Sequence, residues 1–318
     1  MIAYVTGAAG FLGSHLVDKL LTCGAGVVGI DNFATGSRAN LSAALFHADF
    51  TLVEADVAQP WDGWIAGLPE TRRRPELILH FASPSSPVDY GNDPLGTMAV
   101  NALGTMQACE LARRTGARVV VASTSECYGD PLEHPQRETY WGNVNPLGAR
   151  ACYDESKRYA EAYLTSAVRV NAIDGRLVRI FNTYGPRLRP GDGRVIPNFC
   201  LSALKGEALT IFGNGGQTRS FCYVDDLIEG IYRLATRPGL AGQVVNIGNP
   251  DELTIRELAQ IVSELAGAEL RTRNRPLPAD DPTRRRPDIA LARALLDWEP
   301  RVSLRDGLLA TLAYFRES

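Results

Sequence analysis

The sequence predicts an α/β protein: a Rossmann-type, doubly wound parallel sheet with a smaller, interleaved C-terminal α/β lobe. Short apolar runs alternate with helical patterns through the first 180 residues, which is typical of parallel strands joined by helical crossovers. Beyond this point, loops rich in glycine, proline and arginine separate shorter helical patterns. We therefore expect one domain over residues 1–180 and a smaller lobe, interleaved with the sheet, over residues 181–318.

Composition and charge exclude several classes of protein. The 318 residues carry a net charge of -3, which gives no general attraction to nucleic acid or anionic membranes. The four histidines lack ligand spacing, so we predict no protein-built metal site. No apolar run approaches the ~20 residues of a membrane helix, and a first strand at Ile2 argues against a signal peptide. Six scattered cysteines predict reduced thiols and a cytoplasmic location.

The first predicted strand, Ile2–Thr6, runs into a glycine-rich turn and then a helical pattern. Gly7, Gly10 and Gly13 have the spacing of a dinucleotide-binding turn. The first permits a tight turn, the second lets backbone N–H groups approach a pyrophosphate, and the third lets helix pack close to strand. Such a motif is weak alone, but its position between a strand and a helix supports it.

A carboxylate follows the second predicted strand, residues 27–30. Asp31 lies about 20 residues beyond the glycines, where an acidic side chain binds the adenosine ribose hydroxyls and repels a 2′-phosphate. The alternative is an aspartate that only caps a turn. We favour NAD over NADP as the cofactor.

The next two predicted strands also end near the expected cofactor. The third, Phe50–Glu54, is followed by Asp56 and Val57, which we place near the adenine. The fourth ends at Phe81, and Ser83 lies just beyond it. A helix over about residues 93–114, a fifth strand at 119–122 and a sixth at 175–181 complete the predicted sheet domain. In the lobe, short helices are predicted near Leu201, Leu227, Ile261, Leu291 and Leu308.

The fifth predicted strand ends in polar side chains, and a further helical pattern begins shortly afterwards. Ser123, which we place beside the cofactor, Thr124 and Glu126 follow the strand. Tyr153 and Lys157 stand four residues apart on the helix, so both project from one face. That spacing is common on amphipathic helices, but the glycine-rich turn upstream favours catalysis. We predict that Tyr153 is the base and that Thr124 holds the substrate hydroxyl.

A tyrosine needs a positive neighbour to act as a base at neutral pH, because its free pKa is about 10. Lowering that pKa by ~3 units requires about 4 kcal/mol. One ammonium at ~4 Å, in an effective dielectric of about 20, supplies roughly that amount. We therefore expect Lys157, together with the positive nicotinamide ring of NAD⁺, to lower the pKa of Tyr153.

With these motifs in place, the chain resembles the extended short-chain dehydrogenase/reductase family along nearly its whole length. Within that family it is most similar to the branch that decarboxylates UDP-glucuronate. The most specific matching stretches are residues 81–84, 123–130, 140–146, 151–155, 179–187 and 280–288.

The resemblance implies a reaction in which bound NAD⁺ oxidises the C4 hydroxyl of UDP-glucuronate. The C6 carboxylate is then β to a ketone, so CO₂ leaves without a metal. Protonation at C5 gives a UDP-4-keto-pentose, and re-reduction at C4 gives UDP-xylose. NAD is regenerated in each turnover, so a tightly held cofactor is expected.

Three residues favour this branch over related ones. Ser125 stands where similar dehydratases carry an aspartate acid, which argues against a dehydratase. The resemblance places Glu126 near C5 and C6, where it orients the sugar or a water. The resemblance also matches Arg285 to an arginine that family members place at the sugar carboxylate, and it implies a role for Arg285 in positioning and late-step chemistry. Its neighbours Arg284 and Arg286 are interpreted mainly as solvated charge.

The resemblance also implies further binding residues. Those for NAD are Phe11, Leu12, Asn32, Thr35, Gly36, Asp56, Ser83 and Arg194. Those for the UDP half of the substrate are Asn182, Val195, Asn198 and Arg219. Arg219 suits the diphosphate, because a diphosphate needs a cation where no metal is present.

Several alternatives remain open from the sequence. A UDP-glucuronate 4-epimerase, or another nucleotide-sugar epimerase, would use the same tyrosine and cofactor but keep the carboxylate. A decarboxylase could also stop at the 4-keto sugar, and a non-catalytic NAD-sensing protein is a third possibility. The family commonly forms homodimers through two helices per subunit, here those near residues 93–114 and 153–170. Ala160, Ala162 and Ala167 suit such packing or a monomer core.

Overall fold

The fold is described from a computed structural model that covers residues 1–277, 282 and 284–317. Asp280 and Asp281, in the last matching stretch, lie outside the described residues. The strands are β1 Ile2–Thr6, β2 Gly26–Asp31, β3 Phe50–Glu54, β4 Leu77–His80, β5 Arg118–Thr124, β6 Gly175–Ile180, β7 Thr183–Tyr184, β8 Leu209–Phe212, β9 Thr218–Ser220, β10 Cys222–Tyr223, β11 Val244–Ile247, β12 Glu252–Thr254, β13 Thr272–Arg275 and β14 Arg284–Arg285.

Helices alternate with these strands along the chain. They are α1 Phe11–Thr22, α2 Asp62–Ala66, α3 Pro87–Asn92, α4 Pro94–Thr115, α5 Ala151–Asn171, α6 Val195–Leu204, α7 Val224–Thr236, α8 Ile255–Ala266, α9 Ala290–Leu296 and α10 Leu304–Glu317. Within the described part of the chain, none of them has the length and apolar content needed to cross a membrane.

A seven-stranded parallel sheet forms the centre of the molecule, in the order β11-β6-β5-β4-β1-β2-β3. The order runs outward in both directions from β1 and β4, which is the doubly wound arrangement predicted above. The sequence predicted six of these strands. The seventh, β11, comes from the second half of the chain and pairs with β6, Val245 opposite Val178.

Apolar residues cover both faces of this sheet. On one face, α1, α7 and α9 pack through residues such as Leu16, Ile231 and Leu296, which are at most 1% exposed. On the other face, α4 and α5 pack through Ala108 and Leu164. Burial on both faces explains why the strands are continuous apolar runs.

The smaller lobe has its own core, built from α6, α8 and α10 around residues such as Phe199, Leu258 and Leu312. Its strands form small sheets: β12-β9-β14, β13-β8 and β10-β7. The carboxyl ends of the central strands face this lobe, because β5 and β6 continue into segments that line the space between the two layers. A ligand site is expected at such an edge of a doubly wound sheet.

Candidate active site

A cavity of about 1370 Å³ lies between the carboxyl ends of the central strands and the smaller lobe. Every residue assigned above to catalysis, to NAD or to the UDP-sugar lines it, including the distant pair Glu126 and Arg285. The structure therefore gathers residues from positions 7 to 285 around one space. The individual roles of these residues stay predictions.

The glycine-rich turn has the geometry that a dinucleotide requires. Gly7 has φ +71°, and a Cβ there would lie 2.9 Å from Cα of Ala82. A Cβ on Gly13 would lie 1.9 Å from the carbonyl oxygen of Gly7, so only glycine permits this helix–strand approach. Gly10 caps α1 without a side-chain hydrogen bond, which leaves the positive helix end open toward the cavity.

Asp31 holds the same turn from the end of β2. Its Oδ2 accepts a hydrogen bond from the Ala9 amide at 2.8 Å, and its Oδ1 accepts one from the Phe33 amide at 2.8 Å. Burial raises the pKa of Asp31, while these backbone donors oppose the increase. Asp31 therefore does cap the turn, as the alternative interpretation of this residue proposed. Capping is compatible with ribose binding, because each carboxylate oxygen retains a further lone pair.

Helix α5 carries Tyr153 and Lys157 into the cavity below the end of β5. The ammonium of Lys157 donates to the carbonyl of Ala122 at 2.9 Å and lies 5.9 Å from the centre of the Tyr153 ring. Tyr90, from α3, stacks on that ring with 5.1 Å between centroids and 9° between planes. The phenol is therefore fixed between two layers of the protein, beside the hydroxyl of Thr124.

Burial shifts the pKa values of Tyr153 and Lys157 in opposite directions. Burial raises the pKa of Tyr153 well above its usual value, and the hydrogen bond with Thr124 only partly opposes this. Burial lowers the pKa of Lys157 to about 8. Without NAD, the ammonium of Lys157 donates to Ala122 and burial determines the pKa of Tyr153. That Lys157 and bound NAD⁺ together lower this pKa stays a prediction.

Glu126 lies between two guanidinium groups. Arg285 donates to its Oε1 and Arg150 to its Oε2, both in very short contacts. Burial alone would raise the pKa of Glu126, but the charges of Arg285 and Arg150 outweigh it and lower the pKa. Arg285 also donates to Ser125 Oγ at 3.3 Å, whereas Arg284 is exposed.

Comparison with known proteins agrees with this geometry. Residues 3–248 match the model of the NAD dependent epimerase/dehydratase family. The chain belongs to the NAD dependent epimerase/dehydratase family. Its NAD cofactor follows from that membership and fits the turn at Gly7 to Gly13.

Relatives within the NAD dependent epimerase/dehydratase family are closely similar along the chain. UDP-glucuronic acid decarboxylase 1 of Danio rerio is 46% identical over 98% of this chain and 72% of its own length. UDP-glucuronic acid decarboxylase 6 of Arabidopsis thaliana is 48% identical over 96% of this chain and 85% of its own. The chain thus belongs among the UDP-glucuronic acid decarboxylases of that family.

Solved structures share the fold at lower identity. The UDP-glucose 4-epimerase of Thermotoga maritima, with UDP-glucose, has a TM-score of 0.90 at 29% identity and covers 100% of this chain and 99% of its own. The UDP-glucuronic acid 4-epimerase of Bacillus cereus, with UDP-glucuronic acid and NAD, has a TM-score of 0.89 at 29% identity, with coverages of 100% and 99%. These solved epimerase structures therefore share the architecture of this chain.

The structure adds site residues that the sequence did not reveal. Arg150, just before α5, lines the cavity and contacts Glu126, and Tyr90 lines it through its stacked ring. Asp154, next to Tyr153, lies behind the cavity rather than on its lining; it is 7% exposed, and its Oδ1 is buried without a hydrogen-bond partner in the described structure. Arg150 and Asp154 lie within three residues of Tyr153 in the sequence, and this nearness could have indicated them. Tyr90 is distant in sequence and contacts Tyr153 only through tertiary stacking, so no sequence signal indicates it.

Two predicted ligand-binding arginines have protein contacts as well. Arg194, just before α6, forms an ion pair with the buried Asp192 at 2.5 Å. Arg219, in β9, is 9% exposed and donates to the carbonyl of Thr218 at 2.8 Å. Both are held in place on the wall of the cavity formed by the smaller lobe.

Proposed function

We propose that the protein converts UDP-glucuronate to UDP-xylose and CO₂ through a UDP-4-keto intermediate. The observation that carries this proposal is the ion pair of Glu126 with Arg285, which stands in one cavity with Tyr153. Ser125 lies beside the pair, where an acid for dehydration would otherwise stand. The decarboxylase-named relatives, 46–48% identical, support it independently.

In the first step, Tyr153 accepts the proton of the C4 hydroxyl while Thr124 keeps that hydroxyl in line. NAD, when bound, supplies reversible hydride acceptance at C4. Lys157 and Tyr90 fix the phenol, so its oxygen needs no reorganisation during transfer. General-base catalysis of this kind contributes about 10²–10⁴-fold to a rate.

Loss of CO₂ follows from the chemistry of a β-keto acid. The electron pair of the C5–C6 bond moves into the C4 ketone, and the developing negative charge on O4 receives the proton now held by Tyr153. Glu126 stays ionised between its two arginines and orients the group that protonates C5. A proton from water adds at C5 while Tyr153 takes back the O4 proton, which gives the 4-ketone. Return of the hydride to C4, with that proton passing from Tyr153 to O4, gives UDP-xylose.

The main alternative is a UDP-glucuronate 4-epimerase, which the fold likeness to the Bacillus cereus enzyme favours. The purified protein would be incubated with UDP-glucuronate while CO₂ and nucleotide sugars are measured. We expect one CO₂ and one UDP-xylose for each substrate consumed. UDP-galacturonate without CO₂ would establish the epimerase, and CO₂ with a 4-keto sugar and released NADH would show an incomplete cycle.

We infer that the protein forms a homodimer through α4 and α5. Exposed apolar side chains support this: Met98 and Leu103 on α4 are 42% and 44% exposed, and Tyr159 on α5 is 44% exposed. Of the small residues, Ala160 and Ala167 are buried inside the subunit, so their role is in its own core. Light scattering of the wild type should give a dimer mass, and Met98→Asp should lower it.

We also propose a cytoplasmic location. All six cysteines are free thiols in the structure, and four of them are buried, which suits a reducing compartment. Fractionation of the source cells tests this, and recovery from an oxidising compartment would contradict it.

A further inference from the structure

Gln136 is a fully buried amide, 0% exposed, and one of its two side-chain hydrogen bonds reaches the segment that carries Arg285. Its Oε1 accepts from the Arg286 amide at 2.8 Å, and its Nε2 donates to the Glu133 carbonyl at 2.9 Å. The amide is thus bonded at both ends. Burying such a group is unfavourable unless its bonds are made, so this arrangement is strongly specified.

The backbone of Gln136 also pairs with the same segment. Its N–H donates to the Arg286 carbonyl at 2.9 Å, and its carbonyl accepts from the Asp288 amide at 2.8 Å. Together with the side chain, three hydrogen bonds bracket the residues immediately after Arg285. Arg285 itself lies in β14, where it pairs with Arg219 of β9.

The contact between Gln136 and residues 286–288 is connected to the central sheet through β11. Asn246, 0% exposed, donates through Nδ2 to the carbonyls of Gln136 at 3.0 Å and Asp288 at 3.2 Å. Its Oδ1 accepts from the hydroxyl of Tyr128 at 2.7 Å. The strand segment bearing Arg285 is therefore held between the sheet and the smaller lobe.

We propose that Gln136 is a positioning residue, which holds residues 286–288 so that the Arg285 guanidinium meets Glu126 and Ser125. The proposal rests on the proposed function, in which this pair serves the steps after C4 oxidation. Gln136 does not line the cavity, so it acts only through Arg285. A displacement of about 1 Å at such a group costs on the order of 10²-fold in rate.

The test compares Gln136→Leu, which removes both amide bonds, with Gln136→Glu, which keeps an oxygen for the Arg286 amide. Gln260→Leu, on the exposed face of α8, is the matched control. For Gln136→Leu we expect kcat to fall about 10–100-fold with KM nearly unchanged, and bound NADH to accumulate during turnover. Gln136→Glu should recover part of the loss, and Gln260→Leu should resemble the wild type.

A double-mutant cycle separates positioning from general damage to the fold. In an Arg285→Lys background, Gln136→Leu should cost little more, because both changes affect one group. Equal fold losses in both backgrounds would overturn the proposal. If the wild type releases no CO₂, the proposed function fails instead. Hydrogen exchange at the Arg286 and Asp288 amides then decides: faster exchange in Gln136→Leu at these two amides than across the central sheet supports the role, and unchanged or uniformly faster exchange overturns it.

Discussion

Arg285 donates to the carboxylate of Glu126 across 159 residues of chain. Arg285 is 2% exposed, so its guanidinium has no aqueous alternative to this partner. A substrate carboxylate that approached Nη1 of Arg285, as proposed above, would compete with Glu126 for that donor. Such competition would weaken the grip on the substrate carboxylate, whereas a strong grip would stabilise the ground state and oppose loss of CO₂.

Glu126→Gln should therefore lower kcat for CO₂ release by about 10²–10⁴-fold without raising KM for UDP-glucuronate. The amide removes the charge that engages Arg285 and frees the guanidinium for the substrate. Steady-state CO₂ release gives both constants. Glu155→Gln, a carboxylate on α5, is the control. A kcat of Glu126→Gln within about threefold of the wild type would contradict the role.

Tyr153→Phe should slow C4 oxidation by about 10²–10⁴-fold, because the ring keeps its stacking but cannot take a proton. Single-turnover absorbance at 340 nm reports the oxidation step directly. Tyr159→Phe, on the same helix with an exposed ring, should behave as the wild type. Unchanged turnover in Tyr153→Phe would mean that another group is the base.

Much of the Rossmann half could be predicted because its signals are local. The predicted bounds of β1 and β3 agree with the structure: β1 is a short apolar run before the glycine-rich turn, and β3 is a short run rich in aromatic and β-branched residues. Strand β11 was missed: its four residues follow a loop in the second half of the chain, and only pairing with β6 identifies them.

The site residues also fall into those that local sequence indicates and those that depend on tertiary structure. The spacing of Tyr153 and Lys157 is a property of one helix, so sequence alone finds it. The family resemblance placed Glu126 and Arg285 at the same end of the sugar, but their ion pair depends on tertiary structure and was not predicted. Arg150 and the raised pKa of Tyr153 depend on burial, which no local pattern encodes.

Asp154→Asn should stabilise the protein at pH 8 but not at pH 4, relative to the wild type. Burial, with the Glu126 charge next, raises the pKa of Asp154 to about 7 from a usual 3.8. The folded state therefore binds more protons between these values, and wild-type stability falls as pH rises through that window. Asparagine has no such dependence. Urea unfolding at both pH values measures this, and a pH-independent difference would contradict the raised pKa.

Asp31→Asn should weaken NAD binding and reduce the preference for NAD over NADP. The carboxylate lines the cavity and carries the charge that repels a 2′-phosphate. The amide also turns an N–H toward the Ala9 or Phe33 amide, so we expect a stability loss of about 1–3 kcal/mol as well. Calorimetric titration with both dinucleotides gives the ratio of Kd values, which is insensitive to a uniform loss of folded protein. We expect the NAD affinity to fall about tenfold and the ratio to shrink, with the exposed Asp251→Asn as control. An unchanged ratio would show that Asp31 only shapes the turn.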